Sequence, residues 1–479
     1  MWDADVAVIG AGVAGLAAFR RLREHGCDAV LIEARDRIGG RVFPDRVAGW
    51  PLPVELGAEF IHGAPPELIA LAADAAEAAA APPRNWAIQD GELLPAGEFA
   101  SGADAIFERM AARDAAAPDL SFAAFVDQNG DLPAAARQGA LAFIEGFEAA
   151  DPRRISVCAL NREFASGGEW DGPRRPRGGY ATLLDALASI DVPSSGGRLE
   201  TPRAERTSPA ANRSLRSSDQ RERPREKWRA TRVTLGAAVQ AVRWRRGAVE
   251  IETLRHGYPH RWQVRRAIVT LPLSILQHSL QAAAPMVFEP PLEAKRDALE
   301  HLAMGGARRV TLRFREPVWA RCRDDHGDAL GDLGFLFGGA VPEGRIPTWW
   351  TAPSSDSSAA QITGWLGGRR AWALAGLSAE RIGALALDSL SGLLRTHRGE
   401  LESALLGVHT HDWESDPYAL GAYSYAVVGG TDAFGALAAP LLQTLFFAGE
   451  ATESTGAHAT VHGALRSGRR AAAEVLAGE

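Results

Sequence analysis

The sequence predicts an α/β protein whose first unit is a strand, a glycine-rich turn, a helix and a second strand. The apolar run at 6–9 is short enough for a buried parallel strand and leads directly into the turn at 10–15. Residues 16–25 have the apolar spacing of a helix. A second apolar run at 29–32 ends on Glu33, so the order of elements is that of a βαβ unit.

The turn has the Gly-x-Gly-x-x-Gly spacing of dinucleotide-binding proteins. Gly10 allows the tight turn, Gly12 lets the backbone approach a pyrophosphate at the helix N-terminus, and Gly15 allows close helix–strand packing. Glu33 would accept hydrogen bonds from ribose hydroxyls. The glycine spacing alone also occurs in ordinary α/β turns, but with the strand, the helix and the acid it indicates a dinucleotide.

The composition excludes several classes of protein. The chain has 479 residues, 46% of them hydrophobic and 23% charged, which suits a globular protein with a sizeable core. A formal net charge of −7 lacks the basic footprint of nucleic-acid-binding proteins. Cys27, Cys158 and Cys322 are odd in number and far apart, which suits reduced thiols. We expect a cytoplasmic protein without a membrane segment, because no signal-peptide or bilayer-length apolar run is present.

Basic residues concentrate in the middle of the chain. Residues 198–232 hold ten arginines and Lys227 against five acids. Such a composition cannot bury enough apolar surface to order itself, so 200–230 is predicted to be a mobile Arg-rich insertion, the alternative being a tail that binds a partner. Further strands are expected at 248–254 and 264–271.

Five motifs follow Glu33 in chain order. They are Arg37-Ile-Gly39-Gly40-Arg41; Val54-Glu-Leu-Gly57-Ala58-Glu59-Phe-Ile-His62-Gly63; Pro176-Arg-Gly-Gly-Tyr180; Trp413-x-x-Asp416-Pro417-x-x-x-Gly421-x-Tyr423-Ser424; and Phe447-Ala-Gly449-Glu450, followed by His458-Ala-Thr460-Val461-His462-Gly463-Ala464. Together they resemble the flavin amine oxidase family, which comprises monoamine oxidases, polyamine oxidases and flavin-type histone lysine demethylases. The resemblance covers nearly the whole chain except 198–232, and the motifs are most similar to those of the polyamine oxidase branch.

The resemblance implies two interleaved domains. A Rossmann-like FAD-binding domain would comprise 1–84, 178–290 and 409–479. A substrate-binding domain of mixed sheet plus helices would comprise 85–177 and 291–408. The flavin ring would lie at their junction.

The implied cofactor is FAD held without a covalent bond, since Ala422 stands where monoamine oxidases carry the flavin-bonded cysteine. Arg35 and Arg41 suit bidentate contacts to phosphate, although Arg35 could instead form a surface ion pair. The resemblance assigns the Val239 backbone to the adenine and Glu450 to the ribityl or pyrophosphate region. The expected cofactor-binding residues are Gly10, Gly12, Gly15, Glu33, Ala34, Arg35, Gly40, Arg41, Gly57, Ala58, Glu59, Val239, Gly449, Glu450, Thr460 and Val461.

The resemblance also names residues for substrate. Tyr423 matches one wall of the aromatic cage that faces the flavin in this family, and Trp413 belongs to the same motif. The second wall falls at Thr460, so the two-tyrosine cage of monoamine oxidases is absent, which favours a longer or bulkier amine. His62 occupies the substrate mouth of animal polyamine oxidases, where it and Glu59 could hold a distal ammonium group. Both could equally be exposed loop residues.

Arg309 is a departure from the family pattern. The family places a lysine there that is water-bridged to flavin N5 and implicated in oxidation of the reduced flavin. Arginine keeps the charge but cannot deprotonate. It could still stabilise a reduced, anionic flavin. The chain has two lysines, Lys227 and Lys295, and neither stands at this position.

The resulting hypothesis is a FAD-dependent amine oxidase of the polyamine oxidase type. Its substrate would be a small-molecule amine that loses a hydride to flavin N5 and becomes an imine, with oxygen reoxidising the flavin to give hydrogen peroxide. One alternative, motivated by Arg309, is a flavin dehydrogenase or desaturase that uses another electron acceptor. A second alternative is a non-catalytic flavoprotein that acts through partners. No metal site is expected, because His458 and His462 lack further ligands, and the oligomeric state stays open.

Overall fold

A computed structural model of the chain describes residues 2–51, 53–63, 65–71, 84–97, 103–166, 174–176, 178–189, 232–281, 284–339, 341–342, 344–352 and 360–478. The insertion predicted at 200–230, with its Lys227, lies outside the described residues.

Strands of the described residues come from most of the length of the chain. In chain order they are β1 (Ala4–Ile9), β2 (Ala29–Ile32), β3 (Pro44–Asp45), β4 (Val54–Glu55), β5 (Arg84–Gln89), β6 (Glu92–Ala96), β7 (Val233–Thr234), β8 (Ala237–Arg245), β9 (Ala248–Arg255), β10 (Tyr258–Val269), β11 (Val287–Glu289), β12 (Leu302–Met304), β13 (Ala307–Phe314), β14 (Leu333–Phe337), β15 (Thr348–Thr351), β16 (Gln361–Gly367), β17 (Leu405–Thr410), β18 (Ser424–Ala426) and β19 (Leu445–Phe447).

Helices separate many of these strands. In chain order they are α1 (Val13–Glu24), α2 (Pro66–Leu71), α3 (Asp104–Ala111), α4 (Phe122–Gln128), α5 (Ala134–Gly146), α6 (Val157–Ser166), α7 (Ala181–Ala188), α8 (Leu273–His278), α9 (Arg296–Glu300), α10 (Arg369–Trp372), α11 (Ala379–Leu394), α12 (Arg398–Ala404), α13 (Ala433–Ala438) and α14 (Val461–Ala477). Short 3₁₀ turns cover Glu293–Lys295, Val318–Arg321 and Glu450–Thr452.

The first large sheet has the strand order β11-β8-β9-β10-β1-β2-β7, and β19 also pairs with β10. Strands β1, β2, β7 and the end of β10 run parallel, as the βαβ pattern predicts. Alternate residues of β1 pack into two separate cores, Ile9 on one face and Val8 on the other. This sheet is therefore buried on both faces, which is why its central strands are continuous apolar runs.

The strands predicted at 248–254 and 264–271 are confirmed as β9 and β10. Strand β10 begins earlier than predicted, at Tyr258, because its first half forms an antiparallel hairpin with β9 before its second half joins β1. The last helix, α14, begins directly after Thr460.

Glycines let α1 approach its neighbours closely. A Cβ on Gly15 would lie 1.9 Å from the carbonyl oxygen of Gly10. A Cβ on Gly468, in α14, would lie 2.1 Å from the carbonyl oxygen of Ala14. A larger residue at Gly15 would push α1 away from the end of β1, and one at Gly468 would push α14 away from α1. The packing prediction for Gly15 therefore agrees with the structure.

The second large sheet has the order β17-β13-β16-β15-β14-β5-β6 and is mainly antiparallel. Its apolar face packs against α11 through Ile382, Leu390 and the buried ring of Trp349. Helices α3 to α6 form a separate core, to which Ala303 of β12 and Tyr425 of β18 also contribute. The domain boundaries stay a prediction, and strand β17 crosses the one placed between 408 and 409.

Candidate active site

A single cavity of about 2110 Å³ is lined by residues of both large sheets, including Ile9 and Ile32 of the first and Trp350 and Trp365 of the second. Pockets for drug-sized ligands are about 300–1,000 Å³, so this one has room for a dinucleotide and a substrate together. Every expected cofactor-binding residue except Gly15 lines it. So do the residues expected to act on the amine or the flavin, which are His62, Arg309, Trp413, Tyr423 and Thr460.

The glycine turn forms one end of this cavity. Helix α1 begins at Val13, and no side chain caps its N-terminus at Gly12. Its first backbone N–H groups are therefore free to meet an anion, which the helix dipole favours. A Cβ on Gly12 would meet only the Cα of Gly40, at 4.0 Å, so the space beside the turn is open.

Glu33 is buried at the end of β2 and shapes the same turn. One of its carboxylate oxygens accepts a hydrogen bond from the backbone N–H of Ala11 at 2.7 Å, and the other accepts from that of Arg35 at 2.9 Å. A carboxylate has about four acceptor positions, so two remain for ribose hydroxyls.

Arg35 forms a mostly buried ion pair on the cavity wall, not the surface pair that was one of its two expectations. Its guanidinium donates to Oδ1 of Asp416 at 2.6 Å, and His411 contacts Oδ2 of the same carboxylate at 2.8 Å. Burial alone would raise the pKa of Asp416, but His411 and Arg35 outweigh it and hold that pKa well below its usual range.

Arg41 and Glu450 form a second buried pair. Arg41 Nη1 donates to Glu450 Oε1 at 2.8 Å and to the carbonyl of Ala422 at 2.7 Å. The other oxygen of Glu450 accepts from Ser424 Oγ at 2.5 Å. Burial acts to raise the pKa of Glu450, yet Arg41 and Ser424 lower it. Glu450 is therefore an ionised residue that joins the C-terminal motif to the Arg41 loop.

Thr460 and Val461 lie where helix α14 begins. Thr460 caps the helix: its Oγ1 accepts from the N–H of Gly463 at 3.0 Å and donates to the carbonyl of Ala457 at 2.7 Å. The positive end of the helix dipole therefore lies at the cavity wall, where it favours negative charge.

Arg309 belongs to a cluster of buried polar side chains. Its Nη2 donates to Glu59 Oε2 at 2.6 Å and its Nη1 to the carbonyl of Gly57 at 2.9 Å. Glu59 also accepts from Arg175 Nε at 2.6 Å and from Trp350 Nε1 at 3.0 Å. Burial raises the pKa of Glu59, but Arg175 and Arg309 outweigh it and lower that pKa to about 2.

This cluster corrects one expectation from the sequence. Glu59 is buried, and two guanidinium groups already neutralise its carboxylate. It is therefore neither an exposed loop residue nor an open receptor for a distal ammonium group, which Arg175 and Arg309 would repel. The sequence could not show this because Arg309 lies 250 residues from Glu59 along the chain.

No lysine among the described residues reaches this cluster. Lys295 lies elsewhere, where its Nζ donates to the carbonyls of Ala436, at 2.7 Å, and Ala439 at the end of α13. Burial lowers the pKa of Lys295 to about 8.

The Nε of Arg309 is buried and has no hydrogen-bond partner among the described residues.

The expected aromatic residues are held by hydrogen bonds to the backbone. Tyr423 Oη donates to the carbonyl of Phe147 at 2.6 Å. Trp413 Nε1 donates to the carbonyl of Leu56 at 2.9 Å. The ring of His62 meets that of Phe147 edge-on, with centroids 5.9 Å apart. Tyr423 and His62 thus both contact Phe147.

The structure adds two carboxylates that sequence reasoning missed, Glu148 and Glu163, both on the cavity wall. They follow no recognisable spacing, and no motif in the sequence sets them apart from neighbouring acids such as Glu145. His458 Nε2 lies 3.2 Å from Glu163 Oε2. Within the described residues, no three side chains gather as a metal site.

None of the helices in the described part of the chain has the length and apolar run needed to cross a bilayer.

A parallel sheet with a glycine turn at its edge and a large cavity beside it is the arrangement of dinucleotide-dependent enzymes. The family model described as "Flavin containing amine oxidoreductase" matches residues 13–476. The chain belongs to this family, which confirms the predicted family and fold class.

Curated relatives match the chain over almost its whole length. Polyamine oxidase 1 of Oryza sativa subsp. japonica is 26% identical, with 98% of this chain and 96% of that protein covered. The human peroxisomal N(1)-acetyl-spermine/spermidine oxidase is 27% identical, with 98% and 94% covered.

Solved structures share the fold. Putrescine oxidase bound to putrescine superposes with a TM-score of 0.75 at 22% identity, covering 99% of each chain. Cyclohexylamine oxidase from Brevibacterium oxydans IH-35A gives 0.73 at 19% identity, also covering 99% of each chain.

Proposed function

We propose that the cavity binds FAD without a covalent bond and that the enzyme oxidises the C–N bond of a polyamine-type amine to an imine, with oxygen as the electron acceptor. The observation that supports this proposal is that one cavity is lined by the glycine turn and Glu33 as well as by Arg309, Tyr423 and the start of α14. When bound, the flavin would take a hydride from the carbon next to the nitrogen.

The residues present fit FAD. The uncapped N-terminus of α1 and the open space beside Gly12 suit a pyrophosphate, and Glu33 keeps acceptor positions for ribose. No described residue that lines the cavity is a cysteine, so no thiol is available there for a thioether bond to the flavin.

The chain's own groups would do three things. Tyr423, held by Phe147, would give the amine a flat wall. Helix α14 would present its positive end, at Thr460 and Val461, to charge that develops on the flavin. The apolar lining would exclude water and favour the neutral amine, whose nitrogen lone pair can supply electron density as the hydride leaves.

The substrate class is supported by the relatives, which are named for polyamine, acetyl-spermine/spermidine and putrescine oxidation. Protein precipitated with acid should release all of its flavin, and chromatography should identify it as FAD. Aerobic turnover with a panel of polyamines, monoamines and amino acids should release peroxide with amines. Absence of peroxide across the panel would overturn the oxidase assignment.

A second candidate is a flavin dehydrogenase that uses another acceptor. It is favoured by Arg309, which forms an ion pair with Glu59 and, unlike lysine, cannot give up a proton. If an amine reduces the flavin but reoxidation is slow in air and fast with a quinone, the dehydrogenase replaces the oxidase.

A further inference from the structure

One part of the cavity wall carries three arginines, Arg153, Arg369 and Arg370, which we name the arginine cluster. Arg153 lies in the loop after α5, and Arg369 and Arg370 are the first two residues of α10. All three line the same cavity as Tyr423 and Arg309. Amine oxidation as proposed uses none of them.

Two glycines fix the start of α10 against the end of α5. A Cβ on Gly367 would lie 2.5 Å from the carbonyl oxygen of Gly146, and one on Gly368 would lie 2.6 Å from Cγ of Glu145. Gly368 also has a φ of 63°, in the left-handed region that favours glycine. Because larger residues could not approach so closely, the arginines that follow are held beside Glu145.

Arg370 has hydrogen-bond donors to spare. Its Nη1 donates to the carbonyl of Val341 at 3.4 Å, and its Nε lies 3.8 Å from Oε2 of Glu145, beyond hydrogen-bond range. Its side chain is 32% exposed, so the guanidinium is partly withdrawn from water. A guanidinium has five N–H donors, and within the described residues only one of those of Arg370 is used.

The arginine cluster has more positive than negative charge. Arg153 donates to both oxygens of Asp151, from Nη2 at 2.9 Å and from Nε at 3.1 Å. This pairing chiefly, and Arg369 in smaller part, lower the pKa of Asp151. Arg369 is exposed, and no hydrogen bond or ion pair reaches it within the described residues. Three guanidinium groups therefore face two carboxylates, those of Asp151 and Glu145.

The arginine cluster lies close to the ring assigned to the substrate. Tyr423 Oη donates to the carbonyl of Phe147 at 2.6 Å. Glu145, beside Arg370, comes two residues earlier, so the two contacts fall within one turn of helix, about 5.4 Å along α5. An amine held at Tyr423 can therefore extend a tail toward Arg370 within the same cavity.

We propose that Arg369 and Arg370 bind a carboxylate at the far end of the substrate. The proposal rests on the proposed function and narrows the substrate to a polyamine-type amine whose outer nitrogen is acylated by a dicarboxylic acid. Acylation removes the charge that the arginines would repel. The terminal carboxylate receives charge-assisted hydrogen bonds from the planar fork of Arg370, and Arg369 adds an unpaired cation beside it.

The test uses 1,4-diaminobutane acylated at one nitrogen with acetic, malonic, succinic or glutaric acid. The last three carry a carboxylate at increasing distance, and the acetyl derivative is the neutral reference. Anaerobic flavin reduction against concentration gives the apparent Kd of each amine in the flavin-loaded protein. In the wild type, the best-placed acid should bind about 10- to 100-fold more tightly than the acetyl derivative.

The ratio of these two Kd values isolates the carboxylate, because a general change in the cavity affects both amines. Arg370→Gln should remove most of the ratio, and Arg369→Gln should reduce it. The matched control is Arg466→Gln, which changes a cavity-lining arginine paired with Glu67 and should leave the ratio as in the wild type.

Equal Kd values for all four amines in the wild type, or a ratio that survives in both Arg370→Gln and Arg369→Gln, would overturn the proposal. An independent readout is the melting temperature of the flavin-loaded protein, which the best-placed acid should raise more than the acetyl derivative does. If no amine reduces the flavin, the proposed function fails while this melting shift still decides the carboxylate site. Arg369 is exposed, so Arg369→Gln decides the matter should Arg370→Gln not fold.

Discussion

Arg309 donates a hydrogen bond to Glu59 at 2.6 Å, and the two residues are 250 positions apart in the sequence. Because Glu59 also accepts from Arg175 and Trp350, it holds the Arg309 guanidinium in one place on the cavity wall. The structure therefore contains a clamped, permanently charged group where the family pattern leads one to expect a lysine. This ion pair therefore bears on how the reduced flavin passes its electrons to an acceptor.

Replacing Arg309 with lysine should speed reoxidation of the reduced flavin by oxygen about tenfold, because an ammonium can hold a water and exchange protons. Stopped-flow mixing of reduced protein with oxygenated buffer measures the rate. Arg313→Lys is the matched control, since Arg313 lies on the same strand but bonds to His409 outside the cavity lining. An unchanged rate in Arg309→Lys would argue that position 309 is remote from the flavin.

Glu59→Gln should destabilise the protein by about 2–4 kcal/mol, because it leaves two guanidinium groups in a buried place without their carboxylate. Urea unfolding monitored by tryptophan fluorescence gives the free energy. As a control, Asp131→Asn removes one partner of exposed Arg109 and should leave the free energy of unfolding nearly unchanged, because water screens that ion pair. Equal losses in the two variants would show that the clamp adds no stability.

Glu55 gives a dependence on pH. Burial raises its folded-state pKa to about 7 from an ordinary 4.5. The neutral form of Glu55 favours the folded state fully below pH 4.5, and this contribution to stability, about 3 kcal/mol, is lost as the pH rises to 7. Glu55→Gln should therefore unfold with a flatter pH dependence between 4.5 and 7 than the wild type. Parallel curves for the two proteins would refute the assignment to Glu55.

Gly12→Val should lower flavin affinity at least tenfold, or about 1.4 kcal/mol, because the added methyl groups enter the open space beside the turn. The ratio of flavin to protein absorbance measures occupancy. Gly97→Ala is the control, since a Cβ there meets nothing within 4 Å. Retention of full flavin by Gly12→Val would remove the glycine turn from the binding site.

Much of the first sheet could be predicted because its signals are local. The spacing of Gly10, Gly12 and Gly15 and the acid at 33 follow from backbone geometry within a single βαβ unit. The family motifs then indicated which distant segments share a cavity. Strand β10 was placed less well, because its extent depends on pairing with β9 rather than on its own residues.

The polar clusters of the cavity could not be predicted. In the sequence, Glu59 and His62 had the same two interpretations, as ligands of a distal ammonium group or as exposed loop residues. Only the fold shows that Arg175 and Arg309 reach Glu59. Glu148 is followed by two alanines and carries no motif, so its burial beside Glu163 depends on how two helices meet. Long-range pairing of charges has no signature in a single sequence.

Anaerobic mixing of the flavin-loaded protein with amines tests most directly whether this cavity brings an amine to a bound flavin. Loss of the visible absorbance of oxidised flavin on adding 1,4-diaminobutane or a longer polyamine is the result expected. A fully loaded flavoprotein whose spectrum stays unchanged with polyamines, monoamines and amino acids alike would contradict amine oxidation by this protein.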